Sequence, residues 1–413
     1  AIHNVGTVDA GTTIGMTSTS AGIQNDANVT AASGITMNAG AAIDNNNGGN
    51  VTVSSSTGDI TLTAGTNITN DIVTATTGSI SMDTATKGNG SIENTGAVSA
   101  GTNITQNAKT TLTNDSTVTA TGAIDQDAVG KIWNKNTVQA GTTIDMTSTG
   151  ADIQNDANVT AGTGITMNAG TAIDNSNSSL VVSSTSGDIN LTAGTSITND
   201  AVTANAGSVS MTATNNGITN NGAVQAIGDN SSVSMSATNG SAGAISNSEA
   251  ISAGTSVTMN AGTSISNTAV TANAGSVSMT ATNAGITNTG AIQAIGDNSS
   301  VSMTATNTDA GAISNSDIVS AGKDVTETAG TTLTNTGAVT ATAGAIEQKA
   351  GGKLWNEKAV SAGTTVKMTS TGAEIQNDTT VTAGTTLTQD AHPTLTNTVA
   401  VQATGIDQDA VRR

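Results

Sequence analysis

The stretch "ITNDAVTANAGSVSMTATNNGITN" (197–220) decides the fold, because it ends with the tripeptide that began it. The ITN of 197–199 returns at 218–220, and VTA (202–204) and VSM (209–211) lie between the two copies. In each tripeptide the outer residues are apolar or Asn and the middle residue is polar, which is the alternation of a β-strand with one buried face. The stretch therefore predicts three short strands for each repeat.

The Ile/Leu-x-Asn pattern runs through the whole chain in 19 copies, at steps of 20 to 27 residues. Its asparagines are Asn4, Asn25, Asn45, Asn70, Asn94, Asn114, Asn134, Asn155, Asn175, Asn199, Asn220, Asn247, Asn267, Asn288, Asn315, Asn335, Asn356, Asn377 and Asn397. We expect each Asn to turn inward at a corner and to hydrogen-bond the Asn above and below it, as in the Asn ladders of stacked β structures. This role is structural, and Asn199→Ala should cost about 1–3 kcal/mol.

Two further columns keep the same period. Val/Ile-x-Ala is one, and Ile/Val-x-Met is the other. The second column contains all 11 methionines, namely Met16, Met37, Met82, Met146, Met167, Met211, Met235, Met259, Met279, Met303 and Met368. Gly, Asn, Asp and Ser fall between the columns, as expected for turns. We interpret the methionines as core residues.

Composition excludes an ordinary globular core, since the 413 residues include no Phe, Tyr or Cys and carry a net charge of −19. Low hydrophobicity with high charge favours disorder unless the repeats stack. A repeat of this size buries its apolar stripe only against copies of itself. We predict an all-β fold, a parallel β-solenoid with about 19 coils of 20–27 residues and three short strands in each coil.

Several units resemble the repeats of filamentous haemagglutinin-like bacterial exoproteins: "GDITLTAGTNITND" (58–71), "AGTGITMNAGTAIDN" (161–175) and "AGTSVTMNAGTSISNTAVTA" (253–272). The resemblance covers essentially the whole chain and is specific for architecture. It implies a right-handed parallel β-helix, and a secreted protein at the surface of a bacterium.

A longer repetition lies above the short one. "KIWNKNTVQAGTTIDMTSTGADIQN" (131–155) returns as "KLWNEKAVSAGTTVKMTSTGAEIQN" (353–377), and "AIHNVGTVDAGTTIGMTSTSAGIQN" (1–25) is the same unit. We predict one continuous solenoid over 1–413, with long-range duplications at 1–130, 131–352 and 353–413.

The two ends of the chain continue each other. The tail "IDQDAVRR" (406–413) joined to the head "AIHN" (1–4) nearly repeats "IDQDAVGKIWN" (124–134), and no atypical capping coil is visible. We expect either a segment of a longer repetitive chain or copies stacked head to tail into a homopolymer. The candidate junction residues are Ala1, Ile2, Asn4, Ile406, Val411, Arg412 and Arg413.

Three ring side chains are the candidate contact residues. Trp133, Trp355 and His3 each occupy the middle of an Ile/Leu-x-Asn tripeptide and should point outward. An exposed Trp on a polar surface favours contact with another chain, a host surface or a glycan. The alternative is a surface ring that lies over aliphatic groups and Lys stems. Lysines cluster nearby, at Lys131, Lys135, Lys349, Lys353, Lys358 and Lys367. They face an acidic neighbour or simply solvent.

Catalysis finds little support in the sequence. The chain has two histidines and no paired-carboxylate or Ser/His/Asp constellation, so we expect no enzyme activity. Calcium-binding repeats of the glycine–aspartate type are missing. We expect no cofactor and no metal. A net charge of −19 disfavours nucleic acid as a partner, and we expect no membrane span.

Two functions remain. The first is a structural subunit or shaft of an extracellular filament or surface fibre that assembles end to end. The second is the stalk of a large secreted adhesin, whose binding tip is outside this chain. A polysaccharide-processing β-helix enzyme and an ice-binding solenoid are minor alternatives.

Overall fold

The computed structural model describes residues 1–86 and 89–410, and the predicted fold class is confirmed. The chain is an all-β parallel β-solenoid of about 19 turns, with three strands in each turn and three parallel sheets. We call these the asparagine, alanine and methionine sheets, after the residue type that recurs in their strands. The right-handed coiling that the resemblance implies stays a prediction. The chain divides into two compact units, Ala1–Ala201 and Val202–Arg413.

The first unit contains three sets of strands. Its asparagine-sheet strands are Ile2–Asn4, Ile23–Asn25, Ile43–Asn45, Ile68–Asn70, Ile92–Asn94, Leu112–Asn114, Ile132–Asn134, Ile153–Asn155, Ile173–Asn175 and Ile197–Asn199. Its alanine-sheet strands are Val8–Ala10, Val29–Ala31, Thr52–Ser55, Ile72–Ala75, Val98–Ala100, Val118–Ala120, Val138–Ala140, Val159–Ala161 and Val181–Ser184. Its methionine-sheet strands are Thr13–Ser18, Gly34–Ala39, Ile60–Ala64, Ile80–Asp83, Ile104–Ala108, Ile124–Ala128, Thr143–Ser148, Gly164–Ala169 and Ile189–Ala193.

The second unit repeats the pattern, and the unit boundary falls inside the alanine-sheet strand Ala201–Ala204. The asparagine-sheet strands are Ile218–Asn220, Ile245–Asn247, Ile265–Asn267, Ile286–Asn288, Ile313–Asn315, Leu333–Asn335, Leu354–Asn356, Ile375–Asn377 and Leu395–Asn397. The alanine-sheet strands are Val224–Ala226, Ile251–Ala253, Val270–Ala272, Ile292–Ala294, Val319–Ala321, Val339–Ala341, Val360–Ala362, Val381–Ala383 and Val401–Gln402. The methionine-sheet strands are Val209–Ala213, Val233–Ala237, Val257–Ala261, Val277–Ala281, Val301–Ala305, Val325–Ala329, Ile346–Ala350, Val366–Ser370, Thr386–Ala391 and Gly405–Ala410.

Neighbouring turns pair in a register that places like residues on top of each other. In the second unit Val277 pairs with Val301, Met279 with Met303 and Ala281 with Ala305. Buried and partly exposed residues alternate strictly along these strands. Each fully buried Val, Ile or Met contributes roughly 1.5–3 kcal/mol relative to the exposed side chain. Stacked identical side chains therefore build the core from a chain that is polar on average.

Turns of different length are accommodated by loops outside the strands. The loop before Thr52–Ser55 is held by the buried Asp71 of the following turn, whose Oδ2 accepts hydrogen bonds from the backbone N–H of Asn47 (3.3 Å) and Val51 (3.0 Å). Asp200 makes the same type of contact to the backbone N–H of Leu180, at 3.2 Å. An Asp directly after the ladder Asn thus anchors a long loop without changing the stacking of the strands.

Candidate functional sites: the interior amide ladder and the ring clusters

The asparagine column lies inside the solenoid and forms a ladder of side-chain amides. In the first unit Asn155 Nδ2 donates to Asn175 Oδ1 at 2.8 Å, and Asn175 donates to Asn199 at 2.9 Å. In the second unit Asn220 donates to Asn247 at 2.7 Å and Asn247 to Asn267 at 2.6 Å. The bonds continue through Asn288, Asn315 and Asn335 to Asn397. A buried amide without partners would cost about 1–3 kcal/mol, so the ladder keeps a polar column stable in an apolar interior.

The methionine column lies next to this ladder. Met146, Met167, Met211, Met235, Met259, Met279 and Met303 are all buried. Many of their sulfur atoms lie within reach of a ladder amide, as for Asn247 Nδ2 and Met259 Sδ at 3.7 Å. Thioether sulfur is a weak acceptor, and it therefore accepts the second N–H of an Asn whose first N–H is used in the ladder.

Five amide or carboxyl side chains that our sequence analysis did not identify occupy buried positions in the methionine column. They are Gln106, Gln126, Glu327, Gln348 and Gln389. Each follows an aliphatic residue by two positions in a methionine-sheet strand. This spacing could have predicted their burial from the sequence, because the methionines at the same spacing are buried.

These residues form what we call polar blocks. The first polar block consists of Gln106, Asn114, Gln126 and Asn134. Gln106 Nε2 donates to Asn114 Oδ1 at 3.0 Å, and Gln126 Nε2 donates to Gln106 Oε1 at 2.9 Å. Asn134 Nδ2 donates back to Gln126 Oε1 at 2.9 Å. Gln106 and Gln126 thus form a second amide column that runs beside the ladder for two turns.

The second polar block consists of Glu327, Asn335, Gln348 and Asn356, with a carboxyl group in the place of Gln106. Glu327 has no exposed surface. Its Oε1 accepts from Asn315 Nδ2 at 2.8 Å, and its Oε2 accepts from Asn335 Nδ2 at 2.9 Å. Burial raises the pKa of Glu327, and the hydrogen bonds from Gln348, Asn335 and Asn315 oppose that rise. Glu327 is therefore an ionisable group inside a dry stack.

The third polar block consists of Gln389, Asn397 and Gln408 in the last described turns. Asn397 Nδ2 donates to Gln389 Oε1 at 3.0 Å, and Gln408 Nε2 donates to the same oxygen at 2.6 Å. The strand Gly405–Ala410 is exposed along its whole length, and Ile406 is 50% exposed. Among the other candidate junction residues, Ala1, Ile2 and Asn4 lie in the first turn. Val411, Arg412 and Arg413 lie outside the described residues.

The ring side chains lie on the outer face of the asparagine sheet, as predicted, and each is fixed to the next turn. Trp133 is half-buried, and its Nε1 donates to Asp156 Oδ2 at 2.7 Å. Gln154 Nε2 holds the other oxygen of Asp156, also at 2.7 Å. Two lysine ammonium groups lie over the ring, Lys131 at 4.6 Å and Lys135 at 4.3 Å from its centroid. The indole N–H is thus already paired within the chain.

The same constellation occurs twice more. Trp355 Nε1 donates to Asp378 Oδ2 at 2.8 Å, with Gln376 on the other oxygen at 2.9 Å. Hydrogen bonds from Gln376 and Trp355 lower the pKa of Asp378.

In the first turn His3 Nε2 lies 2.7 Å from Asp26 Oδ2, and Gln24 Nε2 donates to Asp26 Oδ1 at 2.9 Å. The side-chain hydrogen bonds from His3 and Gln24 lower the pKa of Asp26. A ring nitrogen, an Asp and a Gln therefore form a clamp between two turns.

The candidate lysines are of two kinds: some lie beside a tryptophan ring and some lie elsewhere. Lys353 lies 4.8 Å from the Trp355 centroid and pairs with Glu374 at 2.8 Å. Lys135 pairs with Asp115 at 2.7 Å, and Lys131 hydrogen-bonds Gln154. Lys367 lies away from the rings and pairs with Glu347 at 3.3 Å. Of the lysines beside the rings, Lys135 and Lys353 therefore pair with acidic groups of the same chain, and Lys131 bonds a neutral amide.

Carboxylates crowd on the outer face of the methionine sheet beside the first polar block. Asp125 pairs in register with Asp145, and Asp127 lies two residues along the same strand. Burial raises the pKa of Asp125, and the charges of Asp127 and Asp145 raise it further. In the described part of the chain no three His, Asp or Glu side chains are placed as ligands for a metal ion. The group is thus a site of electrostatic repulsion between turns.

The fold and these sites define a repeat protein of the parallel β-solenoid class. No protein family model matches the chain, and no curated protein or solved structure matches it either. No helix in the described residues is long and apolar enough to cross a membrane.

Proposed function

We propose that this chain is a structural segment of an extracellular filament or surface fibre of a bacterium, related to filamentous haemagglutinin-like exoproteins. The observation that carries the proposal is the repeating interior: inside each unit, one ladder amide and one set of aliphatic side chains recur in every turn. Nothing inside such a stack limits its length, because each turn offers the next turn the same strand edges and the same buried side chains that the preceding turn offered to it. A structural shaft requires a repeat that can be extended in this way, and it requires no additional binding or catalytic site.

Its partner is a further copy of the chain, joined head to tail, or the remainder of a longer repetitive polypeptide. Either partner supplies a further turn with matching strands. An unpaired strand edge is a template for pairing with such strands. The proposal needs no enzyme activity, cofactor or nucleic acid.

Electron microscopy of the purified chain tests this function. Long filaments of uniform width would support the structural role. Single short particles at every protein concentration and salt concentration would contradict assembly by this chain alone.

A second candidate is the stalk of a secreted adhesin, and the ring clamps favour it. Half-buried Trp133 and Trp355 add aromatic surface to an otherwise polar sheet face. Binding of the chain to host-cell surfaces or immobilised glycans, lost on Trp133→Ala and Trp355→Ala substitution, would favour the stalk function over the filament.

A further inference from the structure

Two stretches of the chain are near copies of each other that differ in the sign of their charges. Residues 124–155 and 346–377 align residue for residue without a gap. The interior keeps its chemistry, since the buried Gln126 corresponds to the buried Gln348. The sign of the charge reverses at three aligned positions, namely Asp127 and Lys349, Asp145 and Lys367, and Lys135 and Glu357. The first two of these pairs lie on the outer face of the methionine sheet.

The first stretch carries an acidic patch, which we define as Asp125, Asp127 and Asp145. Asp125 pairs in register with Asp145, and Asp127 follows Asp125 by two residues on the same strand. The strands on either side present uncharged residues to the outer face. Lys109 borders the same groove as Asp127, but no lysine among the described residues forms an ion pair with these carboxylates. The negative charge of the patch is therefore not balanced by an ion pair there.

The second stretch carries a basic patch, which we define as Lys349 and Lys367. Lys367 pairs in register with Glu347, and its Nζ lies 3.3 Å from Glu347 Oε1. Lys349 is exposed and forms no ion pair with any described residue. The strands Ile346–Ala350 and Val366–Ser370 thus present two lysines and one glutamate to the outer face. Lys349 is left without an acidic partner.

The two patches share one backbone frame. Ile124–Ala128 and Ile346–Ala350 are both five residues long, and each pairs in parallel with the methionine-sheet strand of the next turn. Outward side chains recur every two residues along a strand, and adjacent strands are about 4.8 Å apart. The same grid of outward positions therefore carries opposite charges in the two stretches.

Charge decides which partner fits the acidic patch. Each copy carries a net charge of −19, so most contacts between the sides of two copies bring like charges together. A contact between the two patches brings lysines to carboxylates instead. A single exposed ion pair contributes little, but complementary patches of charge select their partner and its register.

We infer that the acidic patch of one copy docks on the basic patch of a second copy, so that solenoids associate side by side. Lys349 and Lys367 of the second copy supply the positive charge that the acidic patch lacks. This contact uses the outer face of the methionine sheet, and it goes beyond the proposed end-to-end assembly without depending on it.

An exchange of charges between the patches tests the contact. One variant combines Asp127→Lys with Asp145→Lys, and the other combines Lys349→Asp with Lys367→Asp. Each substitution introduces the residue that the aligned stretch already carries at that position, so the fold should tolerate it. At low salt each variant alone should associate about tenfold more weakly than the wild type, because like charges then face each other. An equimolar mixture of the two should associate like the wild type, as measured by sedimentation velocity.

Two controls separate the patches from the total charge. The chain with all four substitutions keeps the wild-type net charge, since two aspartates become lysines and two lysines become aspartates, and it should associate like the wild type. Asp229→Lys with Asp297→Lys changes the net charge as much as the first variant does, at exposed loop positions. This variant should retain side-by-side association, and high salt should weaken association of the wild type.

Cross-linking of the unaltered chain tests the same contact without any substitution. Copies labelled with heavy isotopes are mixed with unlabelled copies and treated with a carbodiimide, which joins lysines to carboxylates in direct contact. Mass spectrometry should find peptides from residues 124–148 joined to peptides from residues 346–370, with one heavy and one light partner.

The outcomes separate this contact from the proposed function, because electron microscopy distinguishes paired or bundled shafts from single ones. Wild-type shafts that stay single at low salt overturn the contact. So do double variants that associate like the wild type, a mixture that associates no better than its components, or the lack of heavy–light cross-links. Filaments of unchanged length in any of these cases leave the filament function standing.

Discussion

The side-chain amide of Gln348 donates a hydrogen bond of 2.7 Å to Oε2 of Glu327, a carboxyl group without exposed surface. The corresponding pair in the first unit is Gln126 and Gln106, at 2.9 Å. The place of Gln106, which donates to Asn114, is taken in the second block by an acid of nearly the same shape that instead accepts from Asn315.

Glu327→Gln should stabilise the second unit at neutral pH. Burial raises the pKa of Glu327 in the folded state. At pH values between the unfolded-state pKa and this raised pKa, the folded chain keeps a proton on Glu327 that the unfolded chain releases. This contribution to stability is fully present below the ordinary glutamate pKa of about 4.3, and it is lost as pH rises through the folded pKa. The gain from the substitution should be about 1–3 kcal/mol at pH 7 and small at pH 4.

Hydrogen exchange of residues 325–350 as a function of pH measures this effect. The exposed Glu249 is a matched control, and Glu249→Gln should change little. Gln106→Glu should make the stability of the first unit depend on pH in the same way. A Glu327→Gln protein with the wild-type pH profile would show that the carboxyl group is not responsible.

Asn247→Ala should open the ladder locally. It removes the acceptor of Asn220 and the donor to Asn267, and each buried group left unpaired costs about 1–3 kcal/mol. Urea unfolding should show the loss. Ser246→Ala changes the exposed neighbour in the same strand and should leave the free energy of unfolding within about 0.5 kcal/mol. Equal effects of the two substitutions would contradict an energetic role for the ladder.

Methionine oxidation should follow burial. Met211 and Met279 are buried at 0% and 1% exposure, whereas Met16 in the first turn is 7% exposed. Under mild peroxide the folded chain should oxidise at Met16 first, and at Met211 and Met279 only after unfolding. Peptide mass spectrometry reports each site, and rapid oxidation of Met279 in the folded protein would be incompatible with its burial.

Asp156→Asn should leave the Trp133 clamp weaker, because a neutral amide oxygen accepts the indole N–H less strongly than a carboxylate. In a Trp355→Phe background all indole fluorescence comes from Trp133, and we expect a shift to longer wavelength and faster quenching by acrylamide. Asp174→Asn, in the following turn, is the control. Unchanged emission in the Asp156 variant would mean that packing alone holds the ring.

Most of the fold could be predicted from the sequence, because the residue patterns that define the strands recur with one period. Three columns with one period become three sheets, and alternation within each tripeptide gives the buried face, as for Ile218 and Asn220. The outward position of Trp133 follows from the same alternation. Its partner Asp156, 23 residues later, requires knowledge of which residues meet across a turn.

The polar blocks were missed for a physical reason. Gln106 or Glu327 in a predicted core column conflicts with the usual cost of burying a polar group, and only the neighbouring ladder amides remove that cost. The first network joins four residues from three successive turns, so the pattern of a single column does not reveal it. The loop anchor Asp71 was missed similarly, since its partners belong to the preceding turn.

The ladder also gives each unit an electrical direction. From Asn4 to Asn199, and again from Asn220 to Asn397, the Nδ2 of the earlier residue donates to the Oδ1 of the later one. The amide dipoles of the column therefore add, whereas Gln126 and Gln348 donate backwards and partly cancel them. An amide column with this direction presents oxygen at one end and N–H at the other, so two like ends cannot hydrogen-bond each other. In the filament that we propose, growth at the two ends should therefore differ in rate, and a molecule that blocks one end should leave the other active.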